Sequence, residues 1–441
     1  MTDQPTANQV PPPPTPSALA VAAAAAEHRL LAEITCPNCW HVFPPEQTLF
    51  IARHDELIGD RIVGETAYRR FLPSRFDAHG DAIDARGMAC QELACPRCHL
   101  PIARPLIELP PLFTSIVGVP ASGKSYYLAT MTWQLRRLAA KFGFVLTDGD
   151  PVSNTQLQQN EETLFMAADP AQPVSLNKTE LSGEALYQTI FFDGHRQSFP
   201  RPFVFSVTPT RDRETPLFPY RSLVMYDNAG EHFLPGQDQT HSPVTLHLAQ
   251  SASIFFLFDP LQDPRFRKHC KSNDPQLTHG SRPDAGEAAQ TVTHRQEVIL
   301  NELAARVRRY TGLSQTARHQ RPLVMILAKA DAWLRDNRFD QEPFKQVDGK
   351  LVLDADVIQT VSDNCRQLMV DTCPEVIAAA EGFAERVIYL PASSLGTSPE
   401  LAHNEGTRFL GIKPESIQPK WVTIPLLWTL SQTTKGLIDI A

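Results

Sequence analysis

Nowhere in the 441 residues is there an apolar run long enough to cross a bilayer, so a helical membrane protein is not expected. A cationic start is missing too. The residues before Leu19 carry no Lys or Arg, and Pro11 to Pro14 form a run of prolines. A secretory leader needs a basic segment ahead of its apolar core. Residues 1–33 therefore read as a mobile Pro- and Ala-rich tail ending in a short helix, and the expected compartment is the cytoplasm. Basic charge is also short, with a formal net charge of −8. Residues 36–110 hold eight Arg, no Lys and ten acidic residues, a net of −2. That is a poor footprint for a polyanion, which argues against nucleic acid as a partner. No internal repeat is visible. Cysteines number eight, and a reducing compartment would keep them from forming a disulfide framework.

What remains is ordinary soluble composition. The chain is 42% hydrophobic and 20% charged, enough to build a core, and its length suggests a main domain with an attached module. Four of the cysteines fall in two pairs, Cys36-Pro-Asn-Cys39 and Cys95-Pro-Arg-Cys98. Two such pairs can grip opposite sides of one tetrahedral Zn²⁺ ion, as in a zinc ribbon. The gap between them is longer than in compact ribbons, so an insertion must loop out. A redox Cys-x-x-Cys would want a strand–helix setting that neither pair has. Residues 34–110 are read as this zinc-ribbon-like module, serving structure or protein docking. His41, Cys90 and His99 are nearby non-ligands, and Cys270, Cys365 and Cys373 are lone thiols.

Residues 111–441 read as an α/β domain. The run 112–118 is apolar and β-branched, as in a buried strand. Behind it Leu128, Met131, Leu135, Leu138 and Phe142 recur at helical spacing. Further strands are expected at 203–207 and 222–226, paired as a hairpin, and at 254–258, 323–327 and 387–390. A helix carrying Val292, Ile299, Leu303, Val307 and Tyr310 on one face lies among them. Strands alternating with helices predict a mostly parallel sheet covered on both faces. Two insertions interrupt the pattern: about 147–202, with one helix near 155–168, and about 262–290, read as a polar, disordered loop.

Between the first strand and its helix lies Gly118-Val-Pro-Ala-Ser-Gly-Lys124-Ser125, the phosphate-loop pattern G-x-x-x-x-G-K-[ST]. Gly118 and Gly123 let the backbone wrap around phosphate oxygens. Ala121, Ser122 and Tyr126 are the remaining expected contributors along the loop and helix start, where the helix dipole favours an anion. Lys124 would reach the β- and γ-phosphates, and Ser125 would ligate Mg²⁺. Pro120 lacks an N–H and must sit where no donor is needed. A second apolar run ends at Asp227, with Gly230 three residues on. The carboxylate can hold the Mg²⁺ through water, and the glycine N–H can sense a γ-phosphate.

A third run, 323–327, leads into Ala328-Lys329-Ala330-Asp331. This resembles the guanine-reading [NT]-K-x-D motif of GTPases, in which the Asp accepts from guanine N1–H and the N2 amino group and the Lys stem lies along the base. Here Ala328 replaces the Asn or Thr that normally braces base and loops. The segment 390–396, with Ser393, resembles the Ser-Ala-type loop that contacts the guanine carbonyl. These four segments stand in the order of a Ras-like protein. From residue 112 onward the chain resembles the TRAFAC class of P-loop GTPases, and more narrowly the bacterial double-GTPase proteins, predicted partners in multi-protein conflict or defence systems.

The resemblance implies a Ras-like P-loop fold and a slow, Mg²⁺-dependent GTPase acting as a switch. It implies GTP/GDP as ligand and protein partners, among them a second GTPase-like protein. The water-orienting Gln of that class is replaced by Glu231, followed by His232, and either could assist hydrolysis. Thr189 and Ser198 are the candidates for the switch threonine. Two alternatives stay open. One is a nucleotide-gated scaffold with little hydrolysis. The other is an ATPase of another P-loop class.

Overall fold

The computed structural model describes residues 30–176, 187–210, 220–228, 243–271, 274–279, 295–334, 339, 341–404 and 407–441. The expected tail helix, Val292, Gly230, Glu231, His232 and 280–290 lie outside these.

A seven-stranded sheet organises the chain. In chain order its strands are β1 (Pro111–Gly118), β2 (Phe144–Asp148), β3 (Phe203–Pro209), β4 (Arg221–Asp227), β5 (Ser253–Phe258), β6 (Leu323–Leu327) and β7 (Val387–Pro391). Their spatial order is β2-β3-β4-β1-β5-β6-β7. The neighbours β4, β1, β5, β6 and β7 are parallel, while β3 and β2 pair antiparallel at one edge. The 203–207 and 222–226 runs are partners as expected, with Phe203 opposite Met225. Strand β2 was not anticipated and overlaps the boundary drawn at 147. Its residues alternate buried and exposed, so it offers only a half-apolar pattern.

The helices of eight or more residues, among those described, are α1 (Lys124–Phe142), α2 (Thr155–Phe165), α3 (Pro243–Gln250), α4 (Gln296–Thr311), α5 (Ala355–Thr372), α6 (Pro374–Phe383) and α7 (Ile424–Thr433). The first insertion holds more than helix α2, since 187–192 and 195–200 form a β-hairpin. The second insertion also departs from expectation. Its described part carries a short 3-10 turn, Phe266–His269, and a short helix, Pro275–His279, with Phe266, Cys270 and Asp274 buried.

Strand alternation decides what each face of the sheet meets. Leu112, Phe203, Phe205, Leu223 and Met225 point into the main core with helix α1. Phe113, Val204, Val224 and Tyr226 point the other way. On that second face they pack with Cys36, Cys39, Cys95, Cys98, the 187–200 hairpin and Leu106 and Ile107. The cysteine module is therefore a covering layer of the sheet, occupying ground that a helix would otherwise cover. Burying those apolar side chains stabilises both parts, by roughly 1.5–3 kcal/mol for each Val-to-Phe-sized group.

The module pairs Ile34–Thr35 with Val42–Phe43, and Leu93–Ala94 with Pro101–Ile102. The polypeptide between the knuckles folds into short antiparallel pairs around two buried carboxylates. Asp60 accepts from the backbone N–H of Ile62, Val63 and Arg70 and meets His99 Nδ1 at 2.9 Å. Asp84 accepts from the N–H of Arg53, His54, Arg86 and Met88. Those donors hold both carboxyls below the usual range, although burial opposes them.

Candidate functional site

Because β1, β4, β5, β6 and β7 run parallel, their C-terminal ends share one edge. The register sets Gly118 beside Leu257, Ile116 beside Asp227, Phe258 beside Leu327, and Leu327 beside Pro391. That edge, beyond strand ends, is where α/β sheets bind ligands. All four sequence motifs end there.

The loop from Gly118 to Ser125 turns directly into α1, whose N-cap is Gly123 in the left-handed region at φ +92°. Ala121 also lies there, at φ +59°, an uncommon conformation for a residue with a Cβ. Gly118 is required for a different reason. A Cβ on it would sit 2.6 Å from the Leu257 carbonyl oxygen. Lys124 is buried, and its Nζ lies 3.2 Å from both the Gly118 and Val119 carbonyls, inside the curl of the loop. Ser125 Oγ, at the start of α1, donates to Asp227 Oδ2 at the end of β4, at 3.2 Å.

Burial raises the Asp227 carboxyl, and the Lys124 charge and the Ser125 bond pull it back toward the anion. Among the described residues, Asp227 Oδ1 is buried with no hydrogen-bond donor. A hydroxyl and a buried carboxylate with an unused oxygen fit a hard, oxygen-seeking cation such as Mg²⁺. Ser122 is buried within the loop. The Tyr126 hydroxyl accepts from the Leu176 N–H at 2.9 Å, so its side chain serves packing and only its backbone faces the helix start.

The segment that resembles a base-reading motif is assembled from three places. Lys329 takes a left-handed φ of +53° ahead of a single helical turn, Ala330–Trp333. Asp331 accepts a hydrogen bond from Ser393 Oγ, and Ser393 Oγ in turn accepts from Gly396 N at 2.8 Å. Burial pushes the Asp331 carboxyl up, opposed by that Ser393 bond. Lys329 Nζ is 2.8 Å from Asp259 Oδ2. Asp259, just past β5, is fully buried, and Gln262 donates to it at 3.0 Å. Neither Asp259 nor Gln262 was singled out from the sequence. The only available signal was an Asp placed directly after a buried strand.

Thr189 and Ser198 face each other across the 187–200 hairpin, with Thr189 Oγ1 donating to Ser198 Oγ at 3.2 Å. The opposite side of that hairpin, through Ile190, Phe192 and Phe199, packs toward the cysteine knuckles. Arg97 seals the contact, 3.0 Å from Asp193 and over the Phe192 ring.

The two Cys-x-x-Cys pairs converge. All four sulfurs lie within 4.8 Å of one another, and Cys36–Cys98 and Cys39–Cys95 are each 3.7 Å apart. A tetrahedron of bonds of about 2.3 Å has edges of roughly 3.8 Å, so these spacings suit Zn²⁺. The knuckles match each other in detail. Asn38 N and Arg97 N point at Cys36 Sγ and Cys95 Sγ at 3.4 and 3.3 Å, and Trp40 and His99 each close the turn at positive φ. No His joins the cluster, and the described structure has no disulfide. The first knuckle also touches the other site's strand. The Tyr226 hydroxyl donates to the Pro37 carbonyl at 2.6 Å, one residue before Asp227.

Fold and site together define a mixed α/β protein with a seven-stranded, mostly parallel sheet and a buried Cys₄ cluster. No family model matches the chain. A protein of Mycolicibacterium smegmatis, provisionally described as an ESX-1 scaffolding and assembly protein, SaeC, is 28% identical over 194 residues. The match covers 43% of this chain and 44% of SaeC, so the chain spans less than half the length of that relative. Among solved structures, the S. cerevisiae Ski7 GTPase-like domain bound to GDP and inorganic phosphate is 14% identical. That likeness covers 65% of this chain and 44% of the other, at a TM-score of 0.26. A chain of the signal recognition particle receptor SRb-GTP/SRX complex from Chaetomium thermophilum is 9% identical, covering 66% and 93%, at a TM-score of 0.25. TM-scores this low do not establish a common fold. No helix of the described residues is long and apolar enough to cross a membrane.

Proposed function

We propose that the chain binds guanine nucleotide with Mg²⁺ at the C-terminal edge of the sheet and hydrolyses GTP slowly. In this reading it is a nucleotide switch within a multi-protein assembly. The observation that carries the reading is the junction of β1, β4 and α1. There the Lys124 ammonium lies inside the phosphate-type loop, and the Ser125 hydroxyl meets the Asp227 carboxylate. When bound, Mg²⁺ would draw charge from the phosphate oxygens, and Ser125 and Asp227 are the residues that would hold it. Backbone N–H groups from Ala121 to Tyr126 would surround the phosphates, with Gly118 and Gly123 permitting the curl. Asp331 would accept from guanine N1–H and the N2 amino group, beside Ser393, with the Lys329 stem along the base. Glu231 and His232 remain the candidates for orienting water, and neither is as well suited as a neutral amide, which supports slow turnover.

The specificity test is Asp331→Asn. Two hydrogen bonds to a charged acceptor contribute about 1.5–3 kcal/mol each, so GTP binding should weaken by at least about two orders of magnitude. Xanthine carries a carbonyl where guanine has its amino group, so the variant should gain affinity for XTP. Competition between GTP and ATP on the unaltered protein completes the experiment. Tighter binding of ATP, with no response to Asp331→Asn, would overturn the guanine reading in favour of another P-loop class.

The partial likeness to a protein described as scaffolding and assembling ESX-1 supports a second reading, a nucleotide-gated scaffold. Single-turnover phosphate release separates the two readings, since a scaffold would bind GTP and leave it intact over hours. The Cys₄ cluster is proposed to hold a structural Zn²⁺ in either case. A second GTPase-like partner and a role in bacterial conflict remain expectations of the resemblance alone, and the cytoplasm an expectation from the sequence.

A further inference from the structure

The guanine-reading pattern wants Asn or Thr at the position of Ala328, a polar group that ties the base loop to the phosphate loop. A methyl group cannot do this. Ala328 is buried, its N–H donates to the Phe258 carbonyl, and its own carbonyl accepts from Trp333 Nε1 at 2.9 Å. The connection is nevertheless made from elsewhere. Gln262 Nε2 donates to the Pro120 carbonyl at 3.0 Å and to Asp259 Oδ2 at 3.0 Å. The same Asp259 oxygen receives Lys329 Nζ at 2.8 Å. A continuous path thus runs from phosphate loop to base loop: Pro120, Gln262, Asp259, Lys329.

Asp259 is well anchored for that task. Its N–H donates to Gln296 Oε1 and its carbonyl accepts from Gln296 Nε2, both at 2.8 Å. Its second carboxylate oxygen accepts from Leu261 N at 3.0 Å. A fully buried carboxylate is costly unless paired, and here its partners come from both sides of the site. Pro120 is suited to the other end, since its fixed φ stiffens the loop and it presents only an acceptor. Further along the same segment, Lys271 N donates to the Ala332 carbonyl and Lys271 Nζ to the Asp331 carbonyl. Ser398 Oγ donates to the buried Asp274 beside them. What the sequence suggested to be a disordered insertion is, in its described first part, hydrogen-bonded to both loops.

We infer that Gln262, held by Asp259, is the positioning residue that replaces the missing Asn or Thr. It fixes the distance between the phosphate cradle and the base reader and so sets nucleotide retention. This rests on the guanine-nucleotide reading above. The brace acts through Pro120 and Lys329.

The test uses the full-length protein loaded with a fluorescent methylanthraniloyl-GDP and Mg²⁺. Three variants are compared with wild type: Gln262→Ala, Gln262→Glu and the double variant Gln262→Ala with Ala328→Asn. Gln262→Ala is expected to release nucleotide about tenfold faster, through loss of the two bonds from Gln262 Nε2 to the Pro120 carbonyl and Asp259, and Gln262→Glu at least as fast, since it also sets a second carboxylate beside Asp259. Melting of the nucleotide-free Gln262→Ala protein should fall only slightly, because Asp259 keeps Lys329 Nζ and Leu261 N as partners. The Ala328→Asn change should recover at least part of the retention, because it restores the brace in its usual place.

Release within twofold of wild type in both single variants would overturn the inference and leave guanine binding intact. Equal destabilisation of the nucleotide-free protein would also overturn it, by showing that Gln262 only holds the fold. Absence of guanine-nucleotide binding to wild type would instead overturn the underlying reading, and the inference with it.

Discussion

The two glycines of the phosphate-type loop are needed for different reasons, and substitutions can tell the reasons apart. A Cβ on Gly118 would lie 2.6 Å from the Leu257 carbonyl oxygen and 3.2 Å from Leu257 Cβ, whereas real Cβ contacts essentially never fall under 3.0 Å. Gly118 and Leu257 are register partners in the β1–β5 ladder, so neither can retreat without loosening that ladder. Overpacking of this kind costs about 1–3 kcal/mol. Gly118→Ala should therefore lower the nucleotide-free melting temperature by several degrees and displace the start of the loop.

At Gly123 an added Cβ would meet nothing within 4 Å, but φ is +92°. The cost there is backbone strain, roughly 1–2 kcal/mol for most residues and least for Asn, which enters the left-handed region more readily. Gly123→Asn should thus retain more stability and nucleotide affinity than Gly123→Val. No such rescue is expected at Gly118, where space is the constraint. Differential scanning fluorimetry and nucleotide titration of the four variants, including Gly118→Asn, check this. Neutral behaviour of Gly118→Ala, or equal damage from Asn and Val at 123, would refute the argument.

Removing the Zn²⁺ proposed for the Cys₄ cluster should destabilise more than the cysteine module. Chelation, or Cys39→Ser, is expected to lower the melting temperature and to weaken nucleotide binding, because the knuckle covers the face of β4 that ends at Asp227. Tyr226→Phe leaves the Pro37 carbonyl without its phenol donor, costing about 1–3 kcal/mol, and should speed chelator-driven metal release. An unchanged release rate would count against that contact. Burial raises the Glu342 carboxyl to about 7, against a favourable bond from Trp421 N at 2.7 Å. The folded state thus holds this proton more tightly than the unfolded chain. Its stabilising contribution is complete below the ordinary carboxylate range and declines as pH rises to about 7. The melting difference between Glu342→Gln and wild type should grow over that window and then level off, and a pH-independent difference would contradict the burial argument.

The local devices were legible in the amino-acid order. A phosphate-type loop is one strand end, one turn and one helix start, so eight consecutive residues carry it. A cysteine knuckle is equally local, and Asn38 and Arg97 make their N–H···S contacts within it. The apolar runs of β1, β4, β5, β6 and β7 were visible because strands buried on both faces are continuously hydrophobic. Strand β2 escaped because it buries only alternate residues, and the 187–200 hairpin because most of its residues stay partly or fully exposed.

Only tertiary structure could decide the rest, for a physical reason. Buried contacts join residues far apart in the chain, and no local propensity encodes which ones meet. The cysteine cluster joins sulfurs 56 and 62 residues apart. Gly118 is constrained by Leu257, Tyr226 by Pro37, and Pro120 by Gln262, 142 positions downstream. Gln262 sits in a polar, proline-containing stretch whose composition favours disorder. It is ordered because Asp259, buried at the end of a parallel strand, needs partners, and the sheet places Lys329 and the phosphate-type loop where they supply them.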